Sequence, residues 1–243
     1  MREIIGATAE ENKLIKAIQK KMKILDNGVI GTDTMTSIAA TLGADCFPIA
    51  ITMYGCPTVV GKKVIPFNPR GGIQNWSYTM SGSFTEPRFE YPCSICVNEG
   101  SILFAQACHY WTEGKPESAI YQMPDGSFGI KRVLQISELP NGFLWAVGGM
   151  GLLDNWAPEV EGFDGSQSGV HRRTGHIVLG YKNGLIYGVA FKNHTSRELN
   201  SICRDYFMFE GAILLDGGSV FQYNIGPFQK DVKQRCGYAI QFE

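Results

Sequence analysis

The residues whose types and spacing best suit catalysis lie in AILLDGGSV, residues 212–220. Four apolar residues predict a buried strand, and Asp216, Gly217 and Gly218 follow it directly. A carboxylate at the end of a buried strand projects into the cleft that the next turn frames. Because glycines lack side chains, their N–H groups can approach an anion closely. The pattern suits a substrate with an electrophilic carbon beside a phosphate, although Asp and Gly are also common in simple turns.

Three other stretches carry residues of matching chemistry. The segment SGVHRRTGHIVLG holds Arg172, Arg173 and His176 before and within a predicted strand. Arginine suits phosphate because its planar group donates two parallel hydrogen bonds. A second glycine cluster, residues 148–149, ends the apolar run LWAV, and a Ser-Gly-Ser-Phe turn occupies residues 81–84. Together these stretches predict a phosphate-binding site beside a carboxylate.

The elements that must position these residues are mostly strands. The chain has 243 residues with 29 glycines and 12% aromatic residues, which is typical of many strands joined by tight turns. Apolar or alternating runs from PIAITM to AILLD predict those strands, and MPDGS, YKNG and LPNG are turn signals between them.

One helix interrupts the strands, in HTSRELNSICRDYFMFEG. Thr195 and Glu198 predict a capping box at its start, and Gly211 is predicted to end it. Its buried face is predicted at Leu199, Ile202, Cys203 and Tyr206. The order LIYGVAF, helix, AILLD predicts a right-handed crossover between parallel strands, with Asp216 at a carboxyl end.

The N-terminal region is predicted to be helical. Residues 8–43 show two helical patterns around a turn, and they resemble the small peptidoglycan-binding repeat of wall hydrolases. The matching residues are Ile15, Ile18, Gln19, Gly28, Ile30, Gly31 and Thr34, with Asn27 where the family usually has Asp. A plain helical hairpin packed on the main domain is the alternative. The predicted fold class is α+β, with a helical module over residues 1–45 and a β-rich mixed-sheet domain with a capped crossover helix over residues 46–243.

Residues 60–243 resemble the phosphodiester glycosidase family. That family typically shows Asn-Gly-x-Phe, then Gly-Gly-x-x-Leu, then Arg-Thr-x-x-Gly, then a capped helix and Leu-Asp-Gly-Gly. The corresponding residues here are Ser81, Gly82, Ser83 and Phe84; Gly148, Gly149, Leu152 and Leu153; Arg173 and Thr174; and Leu215, Asp216, Gly217 and Gly218. The chain departs from the pattern at Ser81, at Ser219 after only two glycines, and in the third motif. There, Arg173 or His176 can occupy the position of the family's arginine.

The resemblance implies hydrolysis of a sugar–phosphate diester at the anomeric carbon. Asp216 is the expected carboxylate, with Arg173 and His176 as catalytic phosphate contacts. The residues expected to bind substrate and phosphate are Gly217, Gly218, Ser219, Ser81, Gly82, Ser83, Gly148, Gly149 and Arg172. Joined to a wall-binding module, such a hydrolase predicts action on a bacterial cell-wall polymer, as in phage lytic proteins.

Composition excludes several other classes. A net charge of −1 gives no basic field for nucleic acid, and no apolar run is long enough to span a bilayer. The N-terminus lacks the pattern of a signal peptide, so we expect synthesis in the cytoplasm and lytic release to the wall. Cys93 and Cys96 should point to opposite faces of an extended segment. Without a second such pair, neither a metal nor a cofactor is predicted, and the oligomeric state stays open.

Two other functions compete with hydrolysis at the wall. The altered Ser81 and the short glycine run suit a module that binds wall glycan without turnover. An intracellular hydrolase of a soluble sugar phosphodiester is the second alternative. Trp76 and Trp156 lie in predicted loops and are the better candidates for stacking on a sugar, whereas Trp111 and Trp145 are weaker ones.

Overall fold

A computed structural model describes most of the chain. The described residues are 16–17, 19–21, 31–42, 47–69, 72–82, 84–86, 91–107, 114–163, 168–232 and 236–243. Residues 16–17 and 19–21 are helical, but the rest of the first predicted helix lies outside these ranges, as do Gly28 and Ile30. Ser83 and Trp111 also lie outside them.

The described residues form many strands and few helices. The strands are β1 (Ile49–Met53), β2 (Cys56–Gly61), β3 (Val64–Phe67), β4 (Thr79–Ser81), β5 (Thr85–Glu86), β6 (Tyr91–Pro92), β7 (Cys96–Asn98), β8 (Ser101–Phe104), β9 (Glu117–Gln122), β10 (Phe128–Val133), β11 (Trp145–Gly151), β12 (Thr174–Lys182), β13 (Leu185–His194), β14 (Gly211–Gly217), β15 (Tyr223–Ile225), β16 (Phe228–Lys230) and β17 (Ala239–Phe242). The α-helices are α1 (Thr32–Leu42), α2 (Ser168–His171) and α3 (Ser196–Ile202). The β-rich part of the predicted fold class is confirmed.

Ten strands form the larger sheet. Its main path runs β1-β2-β13-β12-β14-β11-β7-β8, and β9 pairs with both β11 and β10. Every ladder between the described strands is antiparallel, where a mixed sheet was predicted. The strands β13 and β14 do run parallel across the helical connection, but β12 lies between them and is antiparallel to both. Strand β12, the hairpin partner of β13, thus lies next to β13 where the predicted crossover would have placed β14.

The second sheet packs on one face of the first. Its order is β16-β15-β4-β17-β3. Buried residues of both sheets share one core, including Ile177, Leu215 and Ile240. Gly188 of β13 is needed there, because a Cβ atom would lie 2.7 Å from the Met80 sulfur of the second sheet.

The other face of the larger sheet is covered by helices. Met35 of α1 belongs to the same buried cluster as Tyr187, Leu199 and Phe207. The Thr32 hydroxyl donates to the Phe207 carbonyl at 3.2 Å. Helix α1 therefore packs directly on the residue 46–243 region, while the predicted domain boundary at residue 45 stays a prediction. No helix among the described residues has the length and apolar character to cross a membrane.

Helix α3 confirms the predicted cap but not the whole predicted face. Thr195 and Glu198 make both bonds of a capping box. After Ile202 the helix continues as one π turn, Cys203–Phe207, and ends at Met208 in the left-handed region, three residues before Gly211. The wider turn advances the buried face by one residue. Phe207 is therefore buried, and Tyr206, predicted to be buried, is 57% exposed.

Candidate functional site

Asp216 lies where strand β14 leaves the core. The strand is buried from Gly211 to Leu215, and Asp216 is the first half-buried residue after that run. Asp216 Oδ1 accepts the N–H of Gly217 at 2.8 Å, which is the next residue and not the one two positions on that an Asx turn would use. The Asp216 N–H donates to the Gly82 carbonyl at 3.0 Å. The first and last predicted motifs therefore meet at this strand end.

Ser81 and Gly82 support that strand end from the smaller sheet. Ser81 is fully buried, and its hydroxyl donates to the Gln222 carbonyl at 3.3 Å. Gly82 donates its N–H to the Tyr238 carbonyl at 3.0 Å. A Cβ atom on Gly82 would lie 2.5 Å from the Tyr238 ring, so only glycine fits. Gly82 therefore contacts the Asp216 backbone directly, whereas Ser81 binds Gln222 and does not reach solvent.

The two glycines after Asp216 differ in their surroundings. Gly217 pairs with His176 of β12, and a Cβ atom there would lie 3.0 Å from His176 Nδ1. Gly218 has φ of +59°, a conformation that favours glycine. Gly218 and Ser219 are exposed and begin the 3-10 turn Gly218–Val220. These two residues are the part of the predicted phosphate cradle that a ligand can reach.

His176 of β12 lies against Gly217, the first glycine after Asp216. Its ring is buried, and Nε2 lies 3.1 Å from the Arg172 carbonyl. Burial lowers the pKa of His176 from its ordinary value, although hydrogen bonds to the Arg172 and His194 backbones oppose the shift. The ring is therefore neutral at pH 7. Because a carbonyl can only accept, the ring nitrogen carries the proton in the hydrogen bond from Nε2 to the Arg172 carbonyl.

Arg173 is held at the start of helix α3. Its Nη2 donates to Glu198 Oε1 at 2.5 Å, and its Nη1 donates to the Asn193 carbonyl at 3.0 Å. Hydrogen bonds from Thr195 and Arg173 lower the pKa of Glu198 to about 2, which keeps the pair ionised. The side chain of Arg173 is 51% exposed. The charge of Arg173 is thus directed to the capping box. Arg172 is exposed, and its own backbone carbonyl is the one that accepts from His176.

Gly148 and Gly149 lie inside strand β11, not in a loop. Both are buried, and Gly148 donates its N–H to the Ile95 carbonyl at 2.8 Å. A Cβ atom on Gly149 would lie 3.3 Å from Leu215 of the neighbouring strand β14. The structure therefore gives these two glycines a packing role near the site.

Glu117 is a residue that sequence reasoning missed. Its carboxylate occupies the space that a Gly148 side chain would need, and it is 1% exposed. Oε1 accepts the Ile95 N–H at 2.6 Å, and Oε2 accepts a bond from the Ser94 hydroxyl. Two glycines inside a buried strand were a usable signal, because such glycines often mark the close approach of another group.

The alternation of side chains along strand β11 shows on which face of the larger sheet the Glu117 carboxylate lies. Met150 of β11 is the register partner of Leu214 of β14, and both belong to the helix-covered core. Gly148 lies two residues before Met150. Side chains two apart share a face, so the Glu117 carboxylate, which fills the space beside Gly148, lies on the helix-covered face of the sheet. The register of β14 shifts between Leu214 and Gly217, so this alternation does not extend to Asp216.

A second missed carboxylate, Glu161, lies on the opposite face of the sheet. It is fully buried, and Oε1 accepts from Arg132 Nε at 2.9 Å and from the Ser118 hydroxyl at 2.6 Å. Oε2 accepts the Gly151 N–H at 2.8 Å. Burial raises its pKa from the ordinary value, and these hydrogen bonds oppose the shift. This network ties the loop after β11 to β9 and β10.

The cysteines and other metal-binding side chains form no cluster in the described part of the chain. No group of three or more His, Cys, Asp or Glu there is arranged to hold a metal ion. Cys93 and Cys96 are buried in the cores on opposite faces of the larger sheet, as their spacing predicted. Burial raises the pKa of the Cys96 thiol.

Comparison with known proteins relates the chain through its fold. No family model matches it, and no curated protein matches it in sequence. It is similar to the catalytic domain of zebrafish N-acetylglucosamine-1-phosphodiester alpha-N-acetylglucosaminidase, auto-inhibited by its pro-peptide, with a TM-score of 0.54, 13% identity and 81% of each chain covered. It is also similar to a hypothetical protein from Synechocystis, with a TM-score of 0.50 and 11% identity over 80% of this chain and 61% of that one. At these identities the likeness shows a distant relationship of fold.

Proposed function

We propose that the chain hydrolyses a sugar–phosphate diester at the anomeric carbon of the sugar. The observation that carries this proposal is one strand end where Asp216 binds Gly82, Gly217 lies against His176, and the exposed Gly218 and Ser219 follow. The fold likeness to a catalytic domain of the phosphodiester glycosidase type supports it. Fold alone never fixes an activity, so the argument rests on the site.

Asp216 is the reacting carboxylate in this proposal. The bond from the anomeric carbon to the phosphate oxygen breaks, and the phosphate leaves with the electron pair. Water adds to the carbon, and its proton passes to Asp216 or to solvent. The transition state resembles an oxocarbenium ion, which a nearby carboxylate stabilises. The phosphate is already a weak base, so it needs little help from an acid.

The phosphate is held at the exposed side of the turn. In this proposal the amides of the exposed Gly218 and Ser219 bind the anion, and the exposed Arg172, whose backbone carbonyl accepts from His176, supplies a positive charge. Neutral His176 adds no positive charge to the phosphate site. Arg173 reaches the phosphate only by releasing Glu198.

The substrate in this proposal is a bacterial cell-wall polymer linked through phosphate. This part rests on the resemblance of residues 1–45 to a wall-binding repeat. Within the described part of that repeat, Gln19 is buried, and its amide donates to the Thr34 hydroxyl at 3.1 Å. Sedimentation with purified peptidoglycan tests it, because a wall-binding chain appears in the pellet and a soluble-substrate enzyme stays in the supernatant.

Two observations favour the competing functions. The engagement of Arg173 by Glu198 and Asn193 leaves fewer cations for catalysis, which favours a module that binds glycan without turnover. The packing of Met35 among the core residues of the larger sheet favours α1 as part of the main domain. In that case the chain is a hydrolase of a soluble sugar phosphodiester.

The test is hydrolysis of UDP-N-acetylglucosamine in water enriched in ¹⁸O. Cleavage at the anomeric carbon releases N-acetylglucosamine and leaves the UDP unlabelled, whereas cleavage at phosphorus labels the UDP. The variant Asp216→Asn should lose activity on the order of 10³-fold. Asp231→Asn is the matched control, since Asp231 also accepts the next N–H in its own turn, at 2.9 Å. Equal activity of both variants and the parent would remove Asp216 from the reaction.

A further inference from the structure

An exposed tryptophan packs against a half-buried phenylalanine near the smaller sheet. Trp76 follows the 3-10 turn Ile73–Asn75 and is 42% exposed. Its ring packs against Phe67 with 4.7 Å between centroids and 54° between planes. The Trp76 N–H donates to the Ile73 carbonyl at 3.0 Å, which holds its backbone at the end of the turn. One side of the indole is therefore supported by Phe67 while the side chain remains accessible.

Neutral amides are hydrogen-bonded in and around the turn that ends at Trp76. Gln74 Nε2 donates to the Lys230 carbonyl at 3.2 Å, and Asn224 Nδ2 donates to the Gln74 carbonyl at 3.0 Å. Gln229 Nε2 donates to Asn224 Oδ1 at 3.1 Å. These bonds orient the amides, and each amide of Gln74 and Gln229 has a second N–H and an acceptor oxygen in addition to the bond described. The surface thus combines an apolar ring with neutral donors and acceptors at its edge.

A small buried cluster connects this surface to the Asp216 turn. Ile73, Val220, Cys236 and Ala239 are buried together, and Phe67 packs against them. Val220 is the last residue of the turn that begins at Gly218. The Trp76 surface and the candidate phosphate cradle are therefore built on the same cluster.

The register of the smaller sheet gives the separation between Phe67, which supports Trp76, and Ser81, which precedes Gly82. Ala239 of β17 is the partner of both Phe67 in β3 and Ser81 in β4. Phe67 and Ser81 are thus two strands apart, or about 10 Å. Gly82, the next residue after Ser81, binds the Asp216 backbone. A chain of linked sugars with one unit at Asp216 can place a neighbouring unit near Trp76.

We infer that Trp76, supported by Phe67, is a subsite that stacks on a neutral sugar ring of an oligosaccharide or glycan chain. A pyranose has an apolar face of C–H groups and a rim of hydroxyls, which matches an exposed indole bordered by Gln74 and Gln229. The assignment of this sugar to the substrate rests on the proposed function. The binding of the sugar itself does not, so the two can be tested separately.

Calorimetric titration with neutral trisaccharides tests the subsite without requiring catalysis. The probes are chitotriose, cellotriose and mannotriose, with uridine as a flat aromatic competitor. At least one trisaccharide should bind the parent, and Trp76→Ala should weaken that binding roughly tenfold or more. Trp76→Phe should retain most of it. Tyr206→Ala is the matched control, because Tyr206 is also an exposed aromatic residue, at 57% exposure, in the π turn after α3.

The outcomes separate this inference from the proposed hydrolysis. Asp216→Asn should bind the trisaccharide as the parent does, and unchanged unfolding of Trp76→Ala in urea confirms that its fold is intact. Equal binding by Trp76→Ala and parent overturns the subsite. Binding of uridine in preference to every trisaccharide also overturns it, as does an absence of trisaccharide binding at millimolar concentration. If the parent itself hydrolyses no sugar phosphodiester but binds a trisaccharide in a Trp76-dependent way, the proposed function is overturned and the subsite stands.

Discussion

Two carboxylates of this chain are held in opposite ways. Glu161 is fully buried, and both of its oxygens accept hydrogen bonds from Arg132, Ser118 and the Gly151 backbone. Asp216 is half-buried at the end of β14, where its Oδ1 accepts the N–H of Gly217 in its own turn. The first carboxylate is enclosed by three structural elements, and the second lies at a strand end beside exposed glycine and serine residues.

The difference separates a structural charge from a candidate reactive one. A buried carboxylate is tolerated only when protein groups replace its lost hydration, and that full set of bonds leaves no room for a substrate. A half-buried carboxylate at a turn keeps an approach for water and ligand. We therefore expect substitutions at Glu161 to change mainly stability and substitutions at Asp216 to change mainly activity.

The strongest test of this comparison is to measure both activity and stability for one substitution at Asp216 and one at Glu161. Asp216→Asn should lower kcat/KM on the order of 10³-fold, and it should change the free energy of unfolding by no more than about 1 kcal/mol. Glu161→Gln should retain activity within about tenfold while unfolding at lower urea concentration. Hydrolysis rates and urea unfolding of both variants provide the check. A stability loss at Asp216 larger than that at Glu161 would reverse the comparison.

Removal of the partner of Glu161 should have the next largest effect. Arg132→Met preserves the aliphatic stem but leaves Glu161 buried without its cation, which should cost about 3 kcal/mol of unfolding free energy. The double variant Arg132→Met/Glu161→Leu removes the unpaired charge and should recover part of that loss. Equilibrium unfolding in urea measures both. If the double variant is no more stable than the single one, the loss comes from packing and not from the charge.

Gly148→Ala tests the room that Glu117 requires. The added Cβ would lie 2.7 Å from Glu117 Cδ and 2.9 Å from the Ile95 nitrogen, so we expect a loss of about 1–3 kcal/mol. Combination with Glu117→Ala should give less than the sum of the two single losses, because the colliding carboxylate is then absent. Urea unfolding measures all three variants. If the losses of unfolding free energy of the two single variants add up to that of the double variant, the Glu117 carboxylate does not contact the residue at position 148.

The smallest expected effects are opposite pH dependences of stability. The folded pKa of His176 is lowered, so its neutral burial costs nothing above about pH 6.5, and stability is lost as the pH falls through its folded pKa. The folded pKa of Glu161 is raised above 4.5, so its contribution is present below that pH and is lost as the pH rises through its folded pKa.

Urea unfolding between about pH 5 and pH 8 checks this contrast. The stability difference between the parent and His176→Gln should grow with rising pH. The difference between the parent and Glu161→Gln should shrink over the same range. Parallel changes in the two differences would mean that one of these two groups is in another environment than the structure indicates.

Local patterns predicted the strands and caps well. The runs from PIAITM to AILLD lie on strands, YKNG joins β12 to β13 with both Asn183 and Gly184 at positive φ, and the capping box at Thr195 is complete. These features depend on residues within a few positions of each other. Tyr206 failed as a core residue because the π turn that shifts the buried face is stabilised by distant contacts, among them the bond from Thr32 to Phe207.

The sequence by itself determined that Asp216 ends a buried strand and that glycines follow it, since apolar runs and turn residues act locally. Only the tertiary structure decided which groups surround that carboxylate. The bond from Asp216 to Gly82, the burial of His176 against Gly217 and the diversion of Arg173 to Glu198 join segments that are remote in the chain. The same holds for Glu117, which fills the space beside Gly148. Such partners depend on sheet order and register, and these are chosen by the burial of both faces of the larger sheet at once.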